Sequence, residues 1–327
     1  MFPETDYGNL NDIYHTKLTK KGDLNIMVRK KISYKIKGSK GDRAFDAFNY
    51  ILMTIILIVS AYPLVIVISS AFSDPYALMS GKVWLLPKGF NLEGFKAIFN
   101  YDKVWRGVFN SFGYTILGTL VNMIMSVCMA YPLSRNDFTL KGPLSLVFAF
   151  TMWFSGGLIP TYLLVRDLGM FDTIWSMIFP GALSVWYAII IRTNFQSNTG
   201  GELLESAKID GCSDIKYLIS IAIPLVKPAL AVIFLYYAVG HWNAYMTPYL
   251  YIRKPELQPL QIVLRDILLA GSVEDIPPSS TSAVNAQIMN ELLKYSLVVF
   301  ATLPVAILYP FVQKFFVKGI MVGAIKG

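Results

Sequence analysis

Two groups of residues in this chain could do more than pack. The first is Glu205-Ser206-Ala207-Lys208-Ile209-Asp210-Gly211, a charged stretch between two long apolar runs, followed by Ile221-Ala222-Ile223-Pro224 and Pro228. A helix over Glu202 to Ile209 would carry its acidic residues in an early turn, where they suit the positive end of the helix dipole. Asp210-Gly211 then breaks it, because glycine takes the positive φ that a chain reversal needs. Ser213 is placed to cap a second helix running through Tyr217 into the next apolar run. The chemistry of such an element is docking. Ser206 and Ala207 are small enough to let a surface helix seat closely in a groove, and Glu205 offers a charge at its rim. A plain connecting loop with ordinary caps fits the same residues, since surface helix–turn–helix loops are common. Both readings stay open on the residues alone.

The second group lies inside the apolar runs: Asn122, Trp153, Tyr236, Tyr237, His241, Trp242, Asn243 and Tyr245. Polar groups at such positions are costly against lipid and are expected to face a partner helix or a water-filled path. Aromatic faces beside amide donors suit sugar rings, whose C–H faces are apolar and whose hydroxyls need hydrogen bonds. The same residues also serve as interhelical contacts or as interface anchors, which leaves two readings here as well. Gly113, Gly118, Gly156 and Gly157 read as sites of close helix packing. No catalytic set emerges. Cys128 and Cys212 read as inert thiols, His15 and His241 are far apart, and no metal-type spacing exists. The chain has no Gly-x-x-x-x-Gly-Lys-Ser/Thr phosphate loop, so it cannot itself supply ATP hydrolysis.

The elements that must position these residues are membrane helices. Of 327 residues, 54% are hydrophobic and 15% charged, well below the quarter or so expected of a soluble domain. Six apolar runs approach the roughly 20 residues needed to cross a bilayer. They lie near Phe48–Phe72, broken by Pro63, and near Val108–Leu133, Pro143–Val165, Phe171–Ile191, Ile221–Ile252 and Leu292–Val312. The net charge of +8 does not point to nucleic acid. Lys17, Lys20, Lys21, Arg29, Lys30, Lys31, Lys35, Lys37, Lys40 and Arg43 all precede the first run, as in a cytoplasmic flank beside anionic lipid. A short interfacial helix over Leu24–Lys37 and a plain solvated flank are both compatible with that tail. No cleavable signal is expected, because the first run begins late and is too long. Six spans then put both termini and the 193–220 loop inside. A self-sufficient secondary transporter or polytopic membrane enzyme would be expected to carry intramembrane carboxylates, and the runs hold essentially none, Asp167 and Asp172 standing at a boundary.

The spacing in the 205–228 segment resembles the EAA signature of ABC importer permeases: Glu-Ala-Ala, a glycine four residues after the second alanine, then Ile-x-Leu-Pro. The chain is similar over most of its length to the maltose-transporter-type, binding-protein-dependent carbohydrate permeases. More narrowly it resembles the branch named after lipoprotein-linked oligosaccharide uptake. Further matches are Asp42-Arg43, Ala130-Tyr131-Pro132-Leu133-Ser134-Arg135, Phe154-Ser155-Gly156-Gly157-Leu158-Ile159-Pro160-Thr161-Tyr162, Gly240-His241-Trp242-Asn243, Pro259-Leu260-Gln261 and Phe316-Val317-Lys318-Gly319. Ser206 replaces the first alanine of the signature and Ile223 its leucine. The resemblance implies an all-α polytopic protein with the type I importer permease fold and six transmembrane helices. Its basic tail would cover residues 1–44 and its permease domain residues 45–327. Glu205, Ser206, Ala207, Asp210 and Gly211 would form the coupling helix, seated in a cleft of a separate ATPase subunit. Implied partners are a second homologous permease, two ATP-binding subunits that use ATP and Mg, an extracytoplasmic solute-binding protein and an oligosaccharide. The implied location is the bacterial cytoplasmic membrane.

Overall fold

The computed structural model describes residues 39–270 and 283–324, and every regular element among them is helical. The Leu24–Lys37 segment, for which the sequence leaves an interfacial helix and a solvated flank both open, lies outside the described residues. Residues 1–58 and 59–327 form separate compact units. The described part of the first is the start of α1 (Lys40–Ala71). Ser39 and Asp42 cap it reciprocally: Ser39 N donates to Asp42 Oδ2 at 2.7 Å and Asp42 N to Ser39 Oγ at 3.2 Å. Helix therefore begins at Lys40, inside the stretch assigned to the tail. Phe45, Phe48, Ile51 and Ile55 are exposed on it. An apolar surface of that kind is the composition of a membrane span rather than a water-facing helix.

The second unit contains α2 (Pro75–Met79), α3 (Glu93–Phe99), α4 (Asp102–Ser134), α5 (Lys141–Trp153), α6 (Leu158–Asp167), α7 (Trp175–Ile178) and α8 (Val185–Asn198). After these come α9 (Gly201–Ile209), α10 (Asp214–Tyr217), α11 (Ile223–Leu225), α12 (Lys227–Trp242), α13 (Met246–Tyr251), α14 (Leu260–Ala270) and α15 (Ala283–Ala324). α4 is the hub, packed against α8, α12 and α14. One core joins Ala130 and Tyr131 of α4 to Phe195, Ala207, Tyr217 and Ile233. A second joins Val104 and Val108 of α4 to Trp242, Leu260, Leu293 and Leu297.

The expected runs fall into two kinds. Lys40–Ala71, Asp102–Ser134 and Met289–Pro310 are long and apolar enough to cross a membrane as single helices. Pro63 does not interrupt the first of these. The other three runs are bent pairs: α5–α6 by 111°, Trp175–Gly181 with α8 by 57°, and Asp214–Leu225 with α12 by 84°. Each break has a local cause. Phe154–Gly157 leaves the helix between α5 and α6, with Gly157 at φ 83°. Pro180 sits in the 3-10 turn Phe179–Gly181, and Pro224 and Pro228 flank the bend before α12 after a π turn at Leu218–Ala222. Proline removes a helix donor and crowds the preceding turn, and π turns mark kinks. The fifth run also stops short of Ile252. α12 closes where Asn243 N donates to Val239 O at 3.0 Å, and α13 is a separate helix. The aromatic cluster at 236–245 therefore straddles the C-terminal end of α12.

Candidate functional site

A cavity of about 670 Å³ opens among α4, the α5–α6 break, α7–α8, α12 and α13. Asn122, Tyr236, Tyr237 and His241 line it, together with Thr161, Tyr187, Thr247, Tyr251 and the Ser155–Gly157 backbone. Among the described residues that line it there is no Lys, Arg, Asp or Glu.

Three of the four expected lining residues spend their polar atoms on neighbouring helices. Buried Asn122 donates from Nδ2 to Gly181 O at 2.5 Å, and its Oδ1 lies 2.6 Å from His241 Nε2. The Gly181 carbonyl can only accept, which fixes the amide orientation, so His241 must carry its proton on Nε2. His241 rests directly on Gly118: a Cβ there would stand 2.5 Å from the imidazole. Tyr237 Oη pairs with Ser126 Oγ at 2.8 Å and accepts from Ser184 N at 3.1 Å. These bonds tie α4, α8 and α12 into one wall. Tyr187 stacks on Tyr236 at 5.7 Å and meets Tyr237 edge-on at 4.9 Å, so the wall presents aromatic surface.

The remaining expected residues do not reach the cavity. Trp242 is buried in the second core, donating to Ala301 O at 3.0 Å and packing on Phe112 at 5.0 Å. Trp153 ends α5 with 84% of its surface exposed. Asn243 caps α12, and Tyr245 stacks on Tyr249 at 5.8 Å. For Trp242 the physical reason is helical phase: Tyr236, Tyr237, Gly240 and His241 share a face by their i, i+4 spacing, and Trp242 falls on the opposite one, while Asn243 and Tyr245 lie past the end of α12 and Trp153 at the end of α5. Close helix packing holds at Gly118 but not at Gly113 or Gly157, where an added Cβ would meet nothing within 4 Å. Sequence reasoning missed Tyr187 and Thr161 as lining residues. The glycine pair ahead of Pro160 was the available signal that the run breaks and exposes backbone there.

At one edge of the cavity the rings of Tyr162, Phe171 and Tyr251 cluster, at 5.1 to 6.1 Å between centroids. Asp172 sits beside them at φ 55° and accepts from Arg253 N at 2.6 Å and Lys254 N at 2.9 Å. The Lys254 and Arg253 amides hold its carboxyl below the usual carboxylate range.

The 205–211 segment folds as its residues suggest. α9 ends in a Schellman turn: Cys212 N donates to Ala207 O at 2.9 Å, Gly211 N to Lys208 O at 3.0 Å, and Gly211 takes φ 73°. Ser213 caps α10, accepting from Lys216 N at 3.4 Å. Glu205, Ser206, Asp210 and Gly211 are exposed. Ala207 is not: it points into this chain's own core, so it seats α9 here rather than in a partner's groove. The outward apolar groups are instead Ile209 and Ile215, 86% and 73% exposed on either side of the turn. Both were visible in the sequence, but only the fold shows that they face out.

Helices long and apolar enough to cross a membrane, an open cavity walled by polar and aromatic side chains and an exposed helix–turn–helix are the features of a transport permease. The chain belongs to the family of binding-protein-dependent transport system inner membrane components, whose model matches residues 36–322. It is similar to the polygalacturonan/rhamnogalacturonan transport system permease protein YtcP of Bacillus subtilis (strain 168), 38% identical over 288 residues, covering 88% of this chain and 99% of that protein. It is also similar to Protein LplC of the same strain, 37% identical over 289 residues, covering 88% and 97%. Among solved structures it matches a bacterial ABC transporter involved in the import of the acidic polysaccharide alginate. The TM-score there is 0.81 at 30% identity, covering 86% of this chain and all of that one. The fold is thus that of an ABC importer permease subunit. ATP hydrolysis belongs to a separate subunit, and a partner permease and a solute-binding protein go with the class.

Proposed function

We propose that this chain is one permease half of an ATP-driven oligosaccharide importer in a bacterial cytoplasmic membrane. Each bent pair counts as one span, giving six, with both termini inside. A second homologous permease completes the pathway, an extracytoplasmic binding protein feeds it, and ATP and Mg stay with two ATPase subunits. The observation that carries the reading is the cavity walled by tyrosines and threonines, with no charged group among the described residues lining it, in a chain that also presents an outward-facing helix–turn–helix. Such a wall suits ring faces and hydroxyls. The transport roles of its relatives favour an acidic glycan, whose carboxylates would then be compensated outside this wall.

In this reading α9 and α10 dock on an ATPase subunit through Glu205, Ser206, Asp210, Ile209 and Ile215, and Gly211 sets the turn. Closure of the ATPase subunits then biases the permease between inward- and outward-facing states through differential contacts. The test is the complex in proteoliposomes with a labelled oligogalacturonide. Glu205→Ala weakens ATPase co-purification, and Gly211→Pro abolishes it together with uptake. Unchanged assembly and uptake in both variants would remove the docking assignment.

A further inference from the structure

Arg135 caps α4 in extended backbone, at φ −77° and ψ 146°. Its guanidinium joins three segments. Nε and Nη2 grip the two oxygens of Asp137 at 2.8 and 2.5 Å. Nη1 donates to Asp214 Oδ1 at 2.5 Å and to Tyr131 Oη at 3.3 Å. Lys208 Nζ completes the series, donating to Asp137 Oδ2 at 3.1 Å. The order Lys208–Asp137–Arg135–Asp214 alternates in sign. It touches α9 before the Gly211 turn and α10 after it. Hydrogen bonds from Arg135, then Lys208, hold the Asp137 carboxyl well below the ordinary carboxylate range, so Asp137 stays charged at neutral pH.

Two facts argue that this series sets geometry more than stability. The Arg135 side chain is 14% exposed, but Asp137 and Asp214 are 46% and 58% exposed, and ion pairs open to water add little to folding. Beside the series a cavity of about 330 Å³ separates the foot of α4 from α9, lined by Arg135, Asp137, Glu205, Lys208 and Tyr217. Ala207 of α9 shares a core with Ala130 and Tyr131 of α4, and at the rim of that contact Arg135 reaches α10 directly through Asp214 and α9 through Asp137 and Lys208. Asn122, on the wall of the large cavity, lies about 20 Å further along the same helix at 1.5 Å per residue.

We infer that Arg135 is a positioning residue: it ties both limbs of the docking element to α4, so that displacement of the Gly211 turn reaches the cavity wall at Asn122. The inference rests on the docking reading above. It predicts that α9 and α4 move as one body and that loss of the tie lets them separate without loss of the fold.

The test uses the assembled complex in lipid, with Cys128 and Cys212 replaced by Ser and spin labels at Ile124→Cys on α4 and Glu202→Cys on α9. With native Arg135, the label distance is the same without nucleotide and after vanadate trapping with ATP. In Arg135→Gln a second distance appears on trapping, its population ratio changed about 2- to 30-fold, the range over which single residues alter coupling. Arg135→Lys, which keeps the charge but loses the fork, falls between. An unchanged distance distribution in Arg135→Gln overturns the inference. So does loss of ATPase co-purification in that variant, because Arg135 would then be holding the docking surface itself. Failure of Ile215→Cys to cross-link to the ATPase subunit, with Arg135 intact, is a separate result and strikes the docking reading alone.

Discussion

Replacing Tyr237 by Phe separates a structural hydroxyl from a substrate-binding one. Tyr237 lines the cavity, yet its Oη bonds Ser126 Oγ at 2.8 Å and Ser184 N at 3.1 Å. Ser126 is fully buried, so Tyr237→Phe strands its hydroxyl and also leaves the half-buried Ser184 amide without this partner. A stranded buried group costs about 1–3 kcal/mol. Measured couplings between polar side chains of membrane helices are smaller, averaging about 0.6 and reaching about 1.7 kcal/mol. The expected outcome is a loss of about 1–3 kcal/mol for Tyr237→Phe, with a coupling to Ser126→Ala of about 0.6–1.7 kcal/mol. A double-mutant cycle on unfolding of the solubilised protein reads both values, and binding or uptake of an oligogalacturonide is followed in parallel. Stability should fall while the apparent affinity holds. Additivity of the two substitutions within about 0.5 kcal/mol, with affinity reduced in Tyr237→Phe, would refute the structural assignment.

Two further outcomes follow from the same geometry. Trp242→Ala empties a buried site in the second core and removes the bond to Ala301 O, so a destabilisation of about 3–5 kcal/mol is expected. It should appear as poor assembly, whereas a normal complex with altered uptake would return Trp242 to the substrate path. Asp172 has a lowered pKa, so the stability it contributes is present above the ordinary carboxylate range and is lost only as pH falls through that lowered value. Asp172→Ala should accordingly speed hydrogen exchange at the Arg253 and Lys254 amides at neutral pH, and Asp172→Asn, which keeps an acceptor, should do so less. Equal exchange in all three proteins would show that the turn does not depend on this side chain.

How far these features can be read from the residues depends on how local their causes are. The α9 turn is written in a dozen neighbours: Gly211 for the positive φ, Ser213 for the cap, and a polar stretch that cannot lie in lipid. The number of apolar runs is equally plain, since length and composition decide it. Where those runs bend is less so. A glycine pair before Pro160 and prolines at 224 and 228 permit bends, but their angles are set by what α4 packs against. Which face of a helix meets the cavity was not legible at all. α12 is apolar nearly all round, so no amphipathic stripe marks a side, and Tyr237 and Trp242 look equally eligible until α15 takes the tryptophan.

That difference bears on what this half of the pathway can select. The amide, the imidazole and one tyrosine hydroxyl on its wall are engaged with other helices, and the Thr161 hydroxyl donates to Gly157 O at 2.8 Å, so in the proposed reading recognition would rest mainly on ring faces. A surface of that kind discriminates poorly between sugars differing in one hydroxyl, because few fixed polar groups would be left unpaired by the wrong ligand. It also has no cation with which to prefer a uronate over a neutral sugar. Charge selection must then come from outside this wall, and the wall's own bonds serve a different end. They join α4, α8 and α12 on one side of the cavity, and elements so joined could be moved together from their foot. The Arg135 tie stands at that foot, which makes the polar residues of the span and the charged residues at its end parts of one lever.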